Sequence, residues 1–248
     1  MKLISLNTWG CRVKEQIFDY IRENSETTDI FCFQEILKGS SGKTSRDEIK
    51  SAYEDIAKLL PNHTGYFFNY GEYYGENSVD FDFKYGIATF VRTNLKQSFV
   101  DNIKLYDIGK TWNDYSGELV VGAAMAVKVE DYVIINVHGL WQDGIKTDTE
   151  AKIEQSKKII NLAEKVDEQK VIVGDFNLLP DTKSIHMLGS KYKDLITEYG
   201  IKETRSSLYT KELRYSDYAF VDKNINVTNF SVPNLNISDH LPLLFDFK

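Results

Sequence analysis

Cysteine and proline are scarce in this chain. Its 248 residues include two cysteines and four prolines. Two cysteines cannot form a disulfide framework, and Cys32 lies within an apolar run, where a small buried hydrophobe is expected. Few prolines and no Ser/Gly-rich or charge-block linker interrupt the apolar pattern. The sequence therefore predicts a single domain over residues 1–248.

Long hydrophobic runs are also missing. No segment approaches the length of a transmembrane helix, and the apolar start at residues 1–6 is too short for a secretory signal. We therefore expect a cytoplasmic location. We also expect a monomer.

Positive charge is in deficit. The formal net charge is −7 and the isoelectric point is near 5.2. An extended nucleic-acid surface needs a clustered basic face, so this charge disfavours nucleic acid as a partner without excluding it. A phosphoester can still be bound locally, through a divalent cation and a few Lys or Arg side chains.

Hydrophobic periodicity predicts an α/β fold. The predicted strands are 3–6, 30–33, 66–70, 85–91, 119–129, 132–137, 171–173, 218–221, 227–232 and 243–247, and the predicted helices are 13–24, 47–60, 149–165 and 184–188. Strands 66–70 and 85–91 should form a hairpin, and a tight turn at Glu130-Asp131 should pair the next two strands antiparallel. Helix 47–60 should cover the second sheet, and the charges of helix 149–165 should form a solvated face. The pattern favours two packed mixed β-sheets flanked by helices, a four-layer α/β sandwich.

Polar residues follow several of the apolar runs. Glu35 comes after residues 29–33, His138 after 133–137, and Asp175 with Asn177 after 170–173. A buried strand end fixes the backbone, so side chains from distant parts of the chain can converge there. The sequence therefore predicts one assembled site.

A carboxylate at the mouth of a buried strand needs a partner to stay ionised. Mg²⁺ would be such a partner for Glu35, with Asn7 on the neighbouring strand as a second anchor. The alternative is that Glu35 caps a helix or pairs with Lys38. Zinc is not expected, because neither cysteine has metal-ligand spacing.

Asp175 and Asn177 have period-two spacing, so both side chains should point the same way while Phe176 enters the core. Gly174 should allow a ligand or another backbone to approach closely. The alternative for this motif is a simple Asx turn.

His240 follows Asp239, and it needs an orienting carboxylate, for which Asp217 is the candidate. The alternative for His138 or His240 taken alone is a satisfied core histidine. The other two histidines, His63 and His186, are expected at the surface.

Six short motifs, taken in chain order, resemble those of the endonuclease/exonuclease/phosphatase superfamily, which has the deoxyribonuclease I-like fold. They are Leu6-Asn7-Thr8-Trp9, Gln34-Glu35, Val137-His138-Gly139-Leu140, Gly174-Asp175-Phe176-Asn177, Ser216-Asp217-Tyr218 and Ser238-Asp239-His240. The resemblance spans almost the whole chain. It implies a four-layer α/β sandwich and Mg²⁺- or Mn²⁺-dependent hydrolysis of a phosphoester by in-line attack of water.

Motif matching also implies a role for each site residue. Glu35 would be the main metal ligand, with Asn7 as its neighbour and Asp239 supporting the metal or the water. Asp175 would orient or deprotonate the nucleophilic water, and Asn177 would hold the phosphate or the water. His240, paired with Asp217, would stabilise the pentacovalent transition state, and His138 would bind the phosphate or assist the leaving group.

The motifs do not assign a branch of the superfamily. Its DNA-repair nucleases carry an acidic residue where this chain has Trp9, and the Val-His-Gly-Leu context of His138 looks more like the deoxyribonuclease, sphingomyelinase and phosphatase branches. The favoured hypothesis is that the protein is a phosphodiesterase or phosphatase acting on a small or lipid-like substrate. A nuclease is the alternative within the fold, and a catalytically silent binding module is the alternative from another class.

Aromatic side chains near the predicted mouth could stack on a planar group or pack within the protein. They are Trp9, Trp112, Trp141, Tyr73, Tyr74 and residues 81–83. The loop over residues 69–84 is expected to help define the substrate, and its acidic residues should repel a long polyanion. This repulsion favours a substrate that is small or that presents a single phosphoester group.

Overall fold

Two six-stranded mixed sheets form the centre of the protein. A computed structural model describes residues 1–71, 83–105, 122–142 and 144–248. In these residues the strands are β1 (Lys2–Asn7), β2 (Ile30–Gly39), β3 (His63–Gly71), β4 (Phe83–Arg92), β5 (Gln97–Lys104), β6 (Ala123–Val129), β7 (Tyr132–His138), β8 (Gln169–Asp175), β9 (Lys193–Asp194), β10 (Asp217–Val221), β11 (Val227–Ser231) and β12 (Leu243–Phe247). The sheet orders are β11-β12-β1-β2-β4-β3 and β5-β6-β7-β8-β10-β9.

Helices cover the outer faces of both sheets. They are α1 (Lys14–Asn24), α2 (Ala52–Leu59), α3 (Glu150–Ala163), α4 (Lys183–Lys191) and α5 (Leu195–Glu198). α1 and α2 contact each other, and α2 packs on β2; α3 packs against α4 and β6, and α5 against β10. The predicted four-layer α/β sandwich is confirmed. The prediction that the second helix covers the second sheet is wrong, because α2 lies on β2 of the first sheet.

Strand alternation divides the first sheet between two cores. On β2, Ile30 and Cys32 join the core between the two sheets, whereas Phe31 and Phe33 pack with residues of α1 and α2. Successive side chains of a strand point to opposite faces, and both faces are covered here, so the sequence shows a continuous apolar run. Cys32 is a free, buried cysteine, as the sequence predicts.

Most strand and helix predictions are confirmed within a few residues, but β2 continues to Gly39, six residues past its predicted end, and residues 119–121 of a predicted strand lie outside the described residues. Both predicted antiparallel pairs, β3–β4 and β6–β7, are present. The helix predicted over 47–60 begins only at Ala52. β5 is missing from the prediction because its sequence alternates poorly, with Phe99 about half exposed on its surface. His63 is buried rather than exposed, and its Nε2 lies 2.9 Å from the Thr28 carbonyl oxygen.

A buried pair of amides joins the two sheets. Gln34 Nε2 donates to Asn136 Oδ1 over 2.7 Å. Asn136 Nδ2 then donates to the carbonyl oxygens of Phe33, at 3.2 Å, and Ala88, at 2.9 Å. Gln34 and Asn136 are fully buried. Because these amides come one residue before Glu35 and two before His138, they fix the placement of Glu35 relative to His138.

Replacement of Asn136 by Ala should lower the free energy of unfolding by about 3 kcal/mol, because several buried polar groups lose their partner. Urea denaturation measures this change. Asn229→Ala is the matched control, since Asn229 is exposed, and it should cost less than about 0.5 kcal/mol. Equal stability of the two variants would contradict a structural role for the amide pair.

Candidate active site

Three neighbouring strands of the second sheet bring polar residues into one row. β7 and β8 are parallel, with His138 beside Asp175, and β10 is antiparallel to β8, with Asp217 on the other side of Asp175. Gly174 precedes Asp175 with a φ of 142°, and a Cβ there would lie 2.0 Å from the Val137 carbonyl oxygen. The close approach predicted at Gly174 is therefore that of a backbone.

Asn7, at the end of β1, links the two sheets across the site. Its Nδ2 donates to Glu35 Oε1 and to Asp175 Oδ2, each over 3.0 Å. Its Oδ1 accepts a hydrogen bond from the Trp9 backbone N–H, also over 3.0 Å. In this orientation the Asn7 amide holds two carboxylates together, and its role as a metal ligand stays a prediction.

Glu35 occupies a bulge within β2. The pairing of β2 with β4 shifts between Phe33 and Ile36, and Glu35 has a φ of 55°, in the left-handed region. Such backbone strain in a non-glycine residue is concentrated at functional sites. The alternative partner Lys38 is engaged elsewhere, with its Nζ 4.3 Å from the centre of the Tyr53 ring. Burial raises the pKa of Glu35 to about 8, and the carboxylates of Asp239 and Asp175 add to the effect.

Asp175 is held in one orientation by hydrogen bonds to both oxygens. Oδ1 accepts from Ser216 Oγ over 2.6 Å and from the Asn177 backbone N–H over 2.8 Å. The Asx turn and the site are therefore both present in this motif, and Phe176 is fully buried as predicted. Burial opposes ionisation of Asp175, but His240, Arg205, His138 and the Ser216 hydroxyl hold its pKa well below its usual range.

His240 and Asp217 form a buried pair. His240 Nδ1 lies 2.9 Å from each carboxylate oxygen of Asp217, and Nε2 lies 3.5 Å from Asp175 Oδ2. Burial raises the pKa of Asp217 well above its usual range and lowers the pKa of His240 to about 3. Both shifts disfavour separated charges within the pair, and Nε2 faces the Asp175 carboxylate.

His138 has a different partner. Its Nδ1 is hydrogen-bonded to the Tyr70 hydroxyl, and its Nε2 lies 3.7 Å from Glu35 Oε1 and 3.8 Å from Asp175 Oδ2. Burial lowers the pKa of His138 to about 4, so the ring is neutral at pH 7. Two carboxylates near Nε2 favour a hydrogen on that nitrogen, and Nδ1 then accepts from Tyr70. Sequence reasoning missed Tyr70 as a site residue, because its contact with His138 joins segments that are distant in sequence.

Asp239 is paired with Arg205, a second residue that sequence reasoning missed. Arg205 Nη1 donates to Asp239 Oδ2 over 2.8 Å, and Nη2 donates to Ser216 Oγ over 3.1 Å. Asp239 Oδ1 is buried and has no hydrogen-bond partner within the described residues. No sequence pattern marks Arg205, whose backbone forms an isolated bridge with His240.

Lys152 supports the site from below. It is fully buried on α3, and its Nζ donates to the Asn177 carbonyl oxygen over 2.6 Å. Burial lowers the pKa of Lys152 to about 8. The prediction that the charges of this helix form a solvated face is therefore wrong for Lys152, which fixes the turn that carries Asn177.

A cleft of about 410 Å³ opens onto these residues. Its described lining includes Trp9, Arg12, Glu35, Arg46, Tyr85, His138, Trp141, Lys146, Asp175, Asn177, Arg205, Tyr209, Lys211, Asp239 and His240. The predicted placement of Trp9 and Trp141 at the mouth is confirmed. Trp112, Tyr73, Tyr74 and the acidic loop over 72–82 lie outside the described residues.

The donor set fits a hard divalent cation. Ligand atoms of Glu35, His138 and Asp175 lie within 4.8 Å of one another, as do those of Asp175, Asp217 and His240. The raised pKa of Glu35 describes a carboxylate without a compensating positive charge, and Asp239, although paired with Arg205 through Oδ2, keeps a buried Oδ1 without a hydrogen-bond partner in the described residues. Carboxylate oxygens with room for water are the ligands that Mg²⁺ prefers.

Comparison with known proteins assigns the family. The model of the Endonuclease/Exonuclease/phosphatase family matches residues 4–240. The chain therefore belongs to this family of phosphoester hydrolases, whose members generally use divalent metals. Its sequence matches none of the curated proteins with which it was compared. Among the described residues, no helix has the length and apolar character needed to cross a membrane.

Solved structures share the fold at low sequence identity. The mannosyl-6-phosphatase of Bacteroides thetaiotaomicron is similar with a TM-score of 0.66 and 17% identity, covering 100% of this chain and 99% of that one. The human Nocturnin catalytic domain gives 0.64 and 17%, covering 100% and 93%. ANGEL2, a 2′,3′-cyclic phosphatase, gives 0.66 and 14%, covering 99% and 94%.

Magnesium affinity should rise with pH up to about 8 and level off above it, because Glu35 must lose its proton before it can bind a cation. Below that value the apparent association constant should change by up to about tenfold per pH unit. Isothermal titration calorimetry in buffers of different ionisation enthalpy measures the affinity and the released proton. Glu35→Gln should bind Mg²⁺ weakly, without this pH dependence. A wild-type affinity that is flat between pH 6 and 8 would contradict the assignment.

Proposed function

We propose that residues 1–248 form one catalytic domain, a divalent-metal-dependent phosphoesterase that hydrolyses a small or lipid-like phosphoester by in-line attack of water. One observation carries this proposal: the carboxylates of Glu35, Asp175 and Asp239 converge with two differently partnered histidines on a single cleft. A monomeric state and a cytoplasmic location belong to the same proposal and rest on the sequence alone.

Glu35 and Asp239 would hold the cation, Mg²⁺ or Mn²⁺, with Asn7 fixing Glu35 beside Asp175. When bound, the cation would neutralise charge on the phosphoryl oxygens and so favour in-line attack of water on the phosphorus, with departure of the leaving-group oxygen. Phosphoryl transfer depends mainly on positioning and on stabilisation of this charge. The arrangement of fixed carboxylates therefore suits the reaction.

Asp175 would orient the attacking water. Its low pKa makes it a weak base but a dependable hydrogen-bond acceptor, and its two oxygens are fixed by Asn7, Ser216 and the turn at Asn177. Asn177 would hold the phosphate or the water beside it. A nucleophile held in one place and direction lowers the entropic part of the barrier.

The two histidines would act as hydrogen-bond donors to the phosphoryl group. His240, whose Nδ1 is engaged by Asp217, would donate from Nε2–H and stabilise the pentacovalent transition state. His138, engaged by Tyr70, would donate from its own Nε2–H and bind the phosphate or assist the leaving group. Donors fixed before the reaction stabilise developing charge without reorganisation.

The cleft supports a small substrate. Its volume of about 410 Å³ lies within the range of small-molecule sites. The net charge of −7 disfavours a long polyanion, although a nuclease is the alternative within the family. Two proteins of similar structure are named as phosphatases, a mannosyl-6-phosphatase and a 2′,3′-cyclic phosphatase. A silent binding module is disfavoured because every polar position of the motifs is present and assembled.

The test is hydrolysis of bis-p-nitrophenyl phosphate, p-nitrophenyl phosphate and plasmid DNA with Mg²⁺, Mn²⁺ or EDTA. We expect metal-dependent cleavage of a small ester, lowered by about a hundredfold or more in Glu35→Gln and His240→Asn. Matched controls are Glu23→Gln and His186→Asn, because Glu23 and His186 are exposed and outside the cleft. Preferential cleavage of DNA would favour the nuclease, and wild-type rates in the two site variants would refute the site.

Asp217 and His240 should act as one unit. Asp217→Asn and His240→Asn should each lower kcat by about a hundredfold, and the double variant should be no worse than the poorer single variant, because either change removes the same oriented donor. Steady-state kinetics of the four proteins measure this coupling. Additive losses would show that the two residues work independently.

A further inference from the structure

The cleft differs in charge from the rest of the protein. Its described lining carries five basic side chains, those of Arg12, Arg46, Lys146, Arg205 and Lys211, and three carboxylates, those of Glu35, Asp175 and Asp239. Glu48, the ion-pair partner of Arg12, adds a fourth carboxylate, and burial lowers the pKa of Lys146 to about 7. With a divalent cation bound, the net charge here would be about two to three positive units. The chain as a whole carries −7. A single phosphodiester, with one negative charge, would leave at least half of this local positive charge uncompensated.

Two of these basic side chains already make hydrogen bonds within the catalytic centre or to the backbone beside it. Arg205 holds Asp239 and Ser216. Lys146 Nζ donates to the carbonyl oxygens of Leu213, at 3.3 Å, and Tyr215, at 2.7 Å. Positive charge beyond the centre must therefore come from the remaining three residues.

Arg12, one of these three, is held in place by two neighbours. Its Nη2 donates to Glu48 Oε1 over 3.1 Å, and the guanidinium carbon lies 4.7 Å from the centre of the Trp9 ring. Glu48 is fully buried, whereas the Arg12 side chain keeps a quarter of its surface exposed on the cleft wall. Within the described residues, Arg12 Nη1 donates to no protein acceptor. Arg12 Nε is buried, so Nη1 is the part of the guanidinium that remains for a charge-assisted hydrogen bond to an anion.

Trp9 and Arg12 together form a platform on the cleft wall. The turn that carries this platform is fixed by contacts with Glu48 and Ile49. Gly10, between Trp9 and Arg12, has a φ of 62°, and a Cβ there would lie 2.5 Å from Glu48 Cγ. The Ile49 backbone N–H donates to the Gly10 carbonyl oxygen over 2.9 Å. Trp9 is tied in turn to Asn7 Oδ1, so the platform has a fixed position relative to Glu35.

We infer that the substrate carries a second anionic group, a phosphate on the same small molecule, which binds the exposed edge of Arg12 beside Trp9 while the scissile phosphoester lies at the Glu35, Asp175 and His240 centre. This inference rests on the proposed function for the place of the scissile group. It narrows the substrate class to small esters with two phosphates. The rigid Arg12 would then distinguish such esters from those with one phosphate.

Binding of non-hydrolysable alkane diphosphonates tests the inference without relying on turnover. Calorimetry with Mg²⁺ would compare diphosphonates of several chain lengths with the matching monophosphonates. We expect the best diphosphonate to bind about tenfold to a hundredfold more tightly than its monophosphonate, and Arg12→Gln to remove this preference. Arg22→Gln is the matched control, because Arg22 is exposed on α1 and outside the cleft, and it should keep the preference.

Arg12→Gln leaves Glu48 buried without its cation, so the double variant Arg12→Gln/Glu48→Gln is measured as well, and thermal unfolding checks that both are folded. Equal affinity of the wild type for both ligand types, binding of neither, or a preference that survives in the folded double variant would overturn the inference. If Arg12 served only to neutralise Glu48, the diphosphonate preference would survive in the folded double variant. Loss of hydrolysis with the diphosphonate preference intact would count against the proposed function alone.

Discussion

The site depends on holding several carboxylates close together inside the protein. Glu35, Asp175 and Asp239 repel one another, and burial makes the repulsion stronger. Hydrogen bonds from Asn7 to two of them and the ion pair of Asp239 with Arg205 reduce this cost but do not remove it, because Asp239 Oδ1 has no partner in the described part of the chain. The remaining repulsion appears in the raised pKa of Glu35, and the rest of the fold holds these carboxylates in place.

The two sheets provide that support. Asn7 joins them at the site, and the Gln34–Asn136 amide pair joins them one layer deeper. Each of these contacts lies within two residues of a site residue. Rigid elements position side chains more accurately than loops do. Carboxylates that would otherwise move apart are therefore fixed by the main hydrogen-bonded framework of the fold.

Sequence patterns reveal the parts of this arrangement that depend on strand ends. Asp175, His138 and Asp217 fall in one row because apolar runs define β7, β8 and β10, and the register of a sheet follows from its buried faces. The bulge at Glu35 was not predictable, since its left-handed backbone is imposed by pairing with β4. Arg205 and Tyr70 were missed for a related reason. Their roles arise from contacts between segments distant in sequence, and neither residue interrupts a local pattern.

The contrast between Lys152 and Arg12 shows why charge patterns need a structure for their interpretation. Both are single basic residues in or beside a helix, and the sequence gives no sign of a difference between them. Lys152 is fully buried, and its ammonium group donates hydrogen bonds to backbone carbonyl oxygens beneath the site. Arg12 is anchored by Glu48 and keeps an edge exposed to the cleft. A net charge of −7 describes neither environment, because a substrate in the cleft responds to the few charges nearest to it and distant ones are screened. The local field of an acidic protein can therefore favour a strongly anionic small molecule while its surface repels a long polyanion.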